Sequence, residues 1–302
     1  MAVTRSSLPG LLEPGLNTVF DQMYGEYINE YSQVFDVSSS KKAFEEDTLV
    51  YGLGAAQEKG EGAGVSYDEG GEAWTSRYVH KTYALAFSVT EEAIEDNLYM
   101  EVSSKYTKYL ARSVNHTKEI EGALILNRAF NSFYLGGDGV ELCSRLHPLA
   151  GGGTHANELA TPADLSEASI EQMLIDIRNA TDDRGIPAAF NGQKLVIPPE
   201  LMFVATRIME TMYRPGTQDN DVNALKSMGM IPQGFCVITR LTDSDAWFIK
   251  TDAMDGLRWF DRVAVSRKGE GDFETGNWRY KTRCRFSVGW TDWRAIWGSP
   301  GA

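Results

Sequence analysis

Residues 88–130 read SVTEEAIEDNLYMEVSSKYTKYLARSVNHTKEIEGALILNRAF, with no proline and a single glycine, Gly122. Ser88 followed by Glu91 has the spacing of a capping box, in which the hydroxyl accepts from the Glu91 amide and the carboxylate reaches back. Glu91, Glu92, Glu95 and Asp96 load the first turns with negative charge, which the positive end of a helix dipole favours. The stretch predicts one long helix. Its apolar residues Ile94, Leu98, Val102, Tyr106, Leu110 and Val114 advance in steps of four, not the mean 3.6 of a helix, so the stripe drifts around the cylinder. The second half, with Ile120, Leu124 and Phe130, would bury a different face. Two readings follow: a helix bent over one core, or a spine laid across two neighbours. Length favours the spine. About 40 residues at about 1.5 Å each span about 60 Å, while a compact chain of this size is only about 50 Å across. Such a subunit is flat or elongated and completes its burial in an assembly.

Working outward, the chain of 302 residues is 42% apolar, 24% charged and 11% aromatic, the balance of an ordinary globular protein. A net charge of -13 argues against tight binding to nucleic acid, which needs a basic face, and against anionic membranes. The three cysteines, Cys143, Cys236 and Cys284, are far apart and form no disulfide framework, which fits a reducing cytosol. Met1 to Glu30 carries no signal-peptide pattern and no run approaches a membrane span. Synthesis in a cytoplasm is the expectation.

Residues 1–48 read as an arm. Pro9-Gly10 and Pro14-Gly15 break its start into turns. Phe20, Tyr24, Tyr27, Tyr31 and Phe35 then recur at helical spacing, as a helix under the main body or a strap across a neighbour. Lys41 to Asp47 is a charged surface segment. Residues 49–89 read as a long two-stranded hairpin, Thr48–Tyr51 against Trp74–Val89, around a glycine-rich tip. An isolated ribbon is marginal in water. Exposed Tyr67, Trp74, Tyr78 and Tyr83 therefore suggest that it lies on another subunit. Gly60, Gly62 and Gly64 do not form a phosphate loop, because no GxxxxGK[ST] is present and no helix follows them.

Beyond residue 130, Asp138-Gly139 and His147-Pro148 signal turns. Cys143, His147 and His155 lack a zinc-type spacing and a fourth ligand, so a structural role is expected. Thr161 to Asp183 is a second helix, with Ser166 as its cap and Arg184-Gly185-Ile186-Pro187 as its stop. Leu195–Ile197 is a buried strand, Glu200–Met212 a helix, Arg214–Asp221 a polar loop and Val222–Met228 a short helical piece. Strands follow at 235–240, 247–251, 256–265 and 278–297, with a polar tip at Arg267–Gly276. In the last run, Tyr280, Thr282, Cys284, Phe286 and Val288 alternate with Lys281, Arg283, Arg285 and Ser287, a half-buried strand with one basic face. The class is α+β, since helices and strands do not strictly alternate.

A search for chemistry finds little. His80, His116, His147 and His155 sit in no HExxH or Gly-x-Ser-x-Gly context. Asp182-Asp183 and Glu45-Glu46 are simplest as solvated surface, and Asp243, Asp245 and Asp252 lack EF-hand spacing. No catalytic residue, cofactor or metal is expected.

The order of parts resembles the major capsid proteins of tailed bacteriophages, in particular the Mu-like major head subunits with the Hong Kong 97-type fold. The resemblance rests on the glycine-bearing hairpin, FSVTEEAIEDN (87–97) opening the long helix, DGVELCSRLHPL (138–149), LVIPPELMFVATRIMET (195–211) and WFIKTDAMDGLRWFDR (247–262). It implies an N-terminal arm at 1–48, an extended loop at 49–88, a peripheral domain with the spine helix at 89–191, an axial domain at 192–255 and return strands at 256–302. It also implies a subunit that self-assembles through pentamers and hexamers into an icosahedral shell around double-stranded DNA in the virion. The DNA would be held non-specifically. A separate scaffolding protein, a portal and a decoration protein are its expected partners, with no membrane. Lys59 lies where some members crosslink, but no partner asparagine or acidic catalyst is identifiable and that chemistry is not carried over. The residues expected at subunit contacts are Tyr24, Tyr27, Tyr31, Tyr67, Trp74, Arg77, Tyr78 and Tyr83. The alternatives are an encapsulin-like nanocompartment shell, a soluble enzyme with an unrecognised site, or a tail-tube or decoration protein, the last disfavoured by the long helix.

Overall fold

The computed structural model describes residues 9–62, 64–90, 92–93, 99–213, 222–272 and 274–302, and, within these, side chains other than those of 9–13 and 99–102. Glu91, Ile94, Glu95, Asp96, Leu98 and the loop Arg214–Asp221 lie outside the described residues, as does the side chain of Val102.

Two four-stranded sheets organise the chain. In the first, β1 (Asp36–Ser39) runs parallel to β10 (Leu257–Gly271), which pairs antiparallel with β11 (Trp278–Trp290), which pairs antiparallel with β4 (Lys81–Val89). In the second, the order is β12 (Ile296–Ser299), β9 (Trp247–Thr251), β7 (Gly192–Ile197) and β8 (Phe235–Val237). A separate hairpin joins β2 (Phe44–Tyr51) to β3 (Gly71–Val79), and a two-residue pair joins β5 (His147–Pro148) to β6 (Thr154–His155). The helices are α1 (Pro9–Glu26), α2 (Tyr99–Asn127), α3 (Glu167–Arg178), α4 (Met202–Glu210) and α5 (Ala224–Met228). No helix among the described residues is long and apolar enough to cross a membrane.

The long helix exists, but three details differ from the sequence reading. Ser88 is a strand residue paired with Arg279, so it does not cap the helix, which is described from Tyr99; the Thr90 hydroxyl accepts from the Ala93 amide at 3.4 Å. The helix ends at Asn127, short of Phe130. The buried stripe advances in steps of four, as expected, but mostly through other residues. Ser103, Thr107, Leu110, Ala111, Val114, Asn115, Lys118, Glu119, Ala123 and Leu126 are buried, so the stripe turns about 40° around the helix with each step. Tyr106, Tyr109 and Ile120 point outward instead, 52%, 63% and 40% exposed. The buried face thus joins Leu110, Val114 and Leu126 to small and polar residues, and an apolar count misses the latter. Gly122 belongs to this face: a Cβ there would stand 2.9 Å from the Tyr31 Cβ.

The arm packs on that face. Contrary to the expected turns, α1 carries Pro14 inside it. Leu16 and Phe20 bury against Leu110, Ala111, Trp278 and Tyr280, and this tertiary burial outweighs the local cost of proline. A single-turn helix at Tyr31–Gln33 follows, and the Glu119 carboxylate accepts from the Glu30 and Tyr31 amides at 2.9 and 3.0 Å. One core gathers Tyr31, Phe35, Leu126, Trp259 and Phe286 under the first sheet. Another gathers Ile170, Met173, Leu195, Trp247 and Trp297 around α3 and the second sheet. Ser166 caps α3 as expected, through reciprocal bonds with Ser169.

Candidate functional site

The feature that the cores do not absorb is the hairpin β2–β3 with its connection 52–70. Phe44 pairs with Val79, Glu46 with Arg77, Thr48 with Thr75 and Tyr51 with Gly71. β2 starts at Phe44, so the expected charged segment is half strand. The expected continuous strand Trp74–Val89 divides at His80: β3 pairs with β2, whereas β4 leaves to join β11. His80 is buried there, Nε2 3.0 Å from Ser40 Oγ and Nδ1 2.9 Å from Ser287 Oγ, and burial followed by Arg285 lowers its pKa. This histidine rivets the root of the hairpin to the first sheet.

The far end of the hairpin is tied differently. Asp68 accepts from the Gly54 amide at 2.6 Å and from Arg184 Nη2 at 2.5 Å, and these bonds pull its pKa down to about 2. A cleft of about 550 Å³ lies between the connection and the turns at Leu149–Gly152 and Asp183–Gly185. Arg184 was legible in the sequence only as part of a helix stop; nothing in its neighbourhood signalled a partner 116 positions away.

The eight residues expected at subunit contacts divide. Tyr67 is 96% exposed on the connection. Arg77 is exposed beside Glu46, with its guanidinium 4.0 Å above the Phe44 ring. Trp74 and Tyr27 are half-buried. Tyr24 is half-buried and stacks on Phe20, and its hydroxyl bonds Lys118. Tyr83 is half-buried, stacked on Phe286, with burial and then Glu121 pushing its phenol pKa up. Tyr78 and Tyr31 are corrections. Tyr78 is 4% exposed, hydrogen-bonded to Thr291 and edge-on to Phe260. Tyr31 is 6% exposed and stacked on Trp259 at 4.1 Å. Both are consumed by the subunit's own core because their strand and turn face inward.

The remaining histidines and cysteines are placed as follows. His147 is fully buried, stacked on Trp293 at 4.3 Å, with Nδ1 2.6 Å from Asp138 and Nε2 3.2 Å from Asn157. Asn157 in turn donates to the carbonyls of Leu142, Trp293 and Ile296. His155 stacks on the other side of the same cluster, against Trp293 and Trp297. His116 accepts from Arg240. Cys143, Cys236 and Cys284 are buried free thiols whose pKa values burial raises. Among the described residues no group of three or more His, Cys, Asp or Glu is placed to hold a metal. A cleft of about 310 Å³ brings Arg145, His155, Glu158 and Asp176 together, but its lining includes no serine, threonine or cysteine nucleophile.

Comparison with known proteins agrees with this geometry. The profile of a family described as "Phage capsid protein" matches residues 72–299. No curated protein matches the sequence. The structure is similar to a virus-like particle subunit from Pyrococcus furiosus, at 11% identity and a TM-score of 0.54 over 94% of this chain and 97% of that one. It is similar to the procapsid subunit of bacteriophage JBD30, at 16% identity and a TM-score of 0.56 over 98% of this chain and 76% of that one. The capsid subunit of the myovirus phage XM1 matches at 11% identity and a TM-score of 0.55, over 91% and 92% of the two chains.

Proposed function

The chain belongs to the phage capsid protein family, and from that premise we propose that its hairpin β2–β3 and connection 52–70 reach over a neighbouring copy within an icosahedral shell of pentamers and hexamers. The protein is a structural major capsid subunit of the tailed-phage kind, with the α+β Hong Kong 97-type fold, and its place is the virion shell built from repeated copies. The observation that carries the finer reading is the hairpin itself: a two-stranded ribbon outside both four-stranded sheets, ending in a connection with Tyr67 wholly exposed. Such a ribbon gains stability from a second surface.

On this reading residues 1–48 are the N-terminal arm, 49–88 the extended loop, 89–191 the peripheral domain, 192–255 the axial domain and 256–302 the return strands. Tyr67, Trp74, Arg77, Tyr83, Tyr24 and Tyr27 lie at contacts between copies. Synthesis in the host cytoplasm, a separate scaffolding protein, a portal and a decoration protein complete the proposal. The balance of charge suits the role, since a shell of net charge -13 per subunit does not adhere to the double-stranded DNA it encloses. Cryo-electron microscopy of the expressed protein, alone and with a co-expressed scaffold, tests it: closed shells or isolated pentamers and hexamers support the reading. A monomer under every condition overturns it. Shells that fill with protein cargo and exclude DNA would assign the nanocompartment role instead.

A further inference from the structure

The basic face of β11 lies outside the three hydrophobic cores. Trp278, Tyr280, Thr282, Cys284 and Phe286 point inward and are buried, which leaves Arg279, Lys281, Arg283 and Arg285 on the opposite side of the strand. Alternate residues on a strand stand about 6.8 Å apart, so the four cations form a ladder about 20 Å long. Its ends are engaged: Arg279 pairs with Asp272, and Arg285 reaches the His80 carbonyl. Its middle is not. Lys281 and Arg283 are exposed and form no ion pair among the described residues.

Their surroundings offer little relief. On β4 their neighbours in register are Ala86 and Ala84; on β10 they are Lys268 and Ser266. Lys281 thus stands directly across from another lysine, an arrangement that is unfavourable in an antiparallel pair. Glu270 is the nearby carboxylate, and it is bonded to Lys268 at 3.0 Å. Ala84, Ala86 and Ser266 are small, which leaves the two cations open to an approaching anion on the β4 side and, at Arg283, on the β10 side as well. In a chain of net charge -13, four cations in a row on one sheet face stand out, although Glu270 also feels the charge of Lys281.

We propose that the middle of this ladder, Lys281 and Arg283, is the seat for the acidic connection 52–70 of a second copy of this chain. That connection presents Glu58, Glu61 and Glu69, all exposed, against a single Lys59. Within its own chain it is tethered through Asp68 to Arg184, and none of these glutamates is paired with the ladder among the described residues. A second copy supplies one connection for every ladder, so the charges match in number throughout a repeating shell. Nucleic acid phosphate is the less favoured occupant, because the net charge of the whole subunit repels it. The inference rests on the shell reading above and adds to it which surface receives the loop.

Charge swapping tests it. The variant Lys281→Glu/Arg283→Glu and the variant Glu58→Lys/Glu61→Lys are each expected to slow shell assembly, followed by light scattering, by about tenfold, as like charges meet at the contact. Combining all four substitutions in one chain restores the wild-type rate to within about threefold, since complementary potentials are re-established. Circular dichroism checks folding, and the neutral pair Lys281→Gln/Arg283→Gln replaces the reversal if the latter unfolds; it should slow assembly in the same direction. A four-fold variant no better than either parent overturns the proposal. Reversal variants that assemble like wild type but retain less DNA assign the ladder to phosphate and overturn it equally. Wild-type protein that never assembles refutes the shell reading itself, a different result from failure of the swap.

Discussion

Replacing Gly122 by alanine sets two physical effects against each other in the middle of α2. Helix propensity alone predicts a gain of about 1 kcal/mol, because glycine is the poorer helix former. The structure predicts the opposite. A Cβ at position 122 would lie 2.9 Å from Tyr31 Cβ, with Phe35 and Trp259 ring atoms 3.7 Å away. Tyr31 cannot yield by rotating: its Cβ is next to the main chain, its amide and that of Glu30 are held by Glu119, and its ring stacks on Trp259. Overpacking of this kind costs about 1–3 kcal/mol, and an anchored neighbour places it toward the upper end. The expected net result is a destabilisation of about 1–2 kcal/mol, a factor of about 5–30 in the folded-to-unfolded ratio. Urea denaturation of the unassembled subunit measures it, and hydrogen exchange should report faster exchange at residues 30–35. Gly25→Ala in α1 is the control, since nothing lies within 4 Å of the added methyl; it should be neutral or stabilising. If Gly122→Ala equals or exceeds wild-type stability, the close packing of the arm on α2 is wrong.

Other expectations concern the buried charges and the hairpin. Burial pushes the Glu119 pKa up to about 7, against the two amide bonds it accepts. The folded-state value exceeds the unfolded value of about 4.3, so the folded subunit holds the proton more tightly and stability falls as pH rises from about 4.3 to about 7. Glu119→Gln should flatten that slope in urea midpoints measured across this window. Arg294 is 2% exposed and bonds both Asp183 and Asp292. Arg294→Ala should cost about 3–5 kcal/mol, because it leaves those carboxylates buried and unpaired, and should show as a large loss of thermal stability. Replacing residues 53–69 by a two-residue turn keeps the Tyr51–Gly71 pair, so far-UV circular dichroism should be little changed while electron microscopy shows no stable shells. Trp74→Ala should lower shell yield in light scattering more than it lowers the urea midpoint, since Trp74 is only half-buried in its own subunit.

The sequence by itself determined the class of the fold and the kind of element at most positions. The long helix, the α3 cap at Ser166, the short buried strand at Leu195–Ile197 and the alternating strand with a basic face are local patterns, set by backbone capping and by side-chain period. The glycine-rich connection is local too. The tertiary structure alone decided which face of α2 is buried. Gly122, Ala111 and Thr107 face inward because another element comes close there, and close approach selects small residues, which an apolar count ignores. It also decided that Tyr31 and Tyr78 are core while Tyr67 is free, since aromatic residues look alike in sequence on either side of a strand. The split of the expected strand at His80, Pro14 within a helix, and the Asp68–Arg184 tie share one cause. Each is fixed by partners far away along the chain, and no local period records a contact made across 116 or 207 positions.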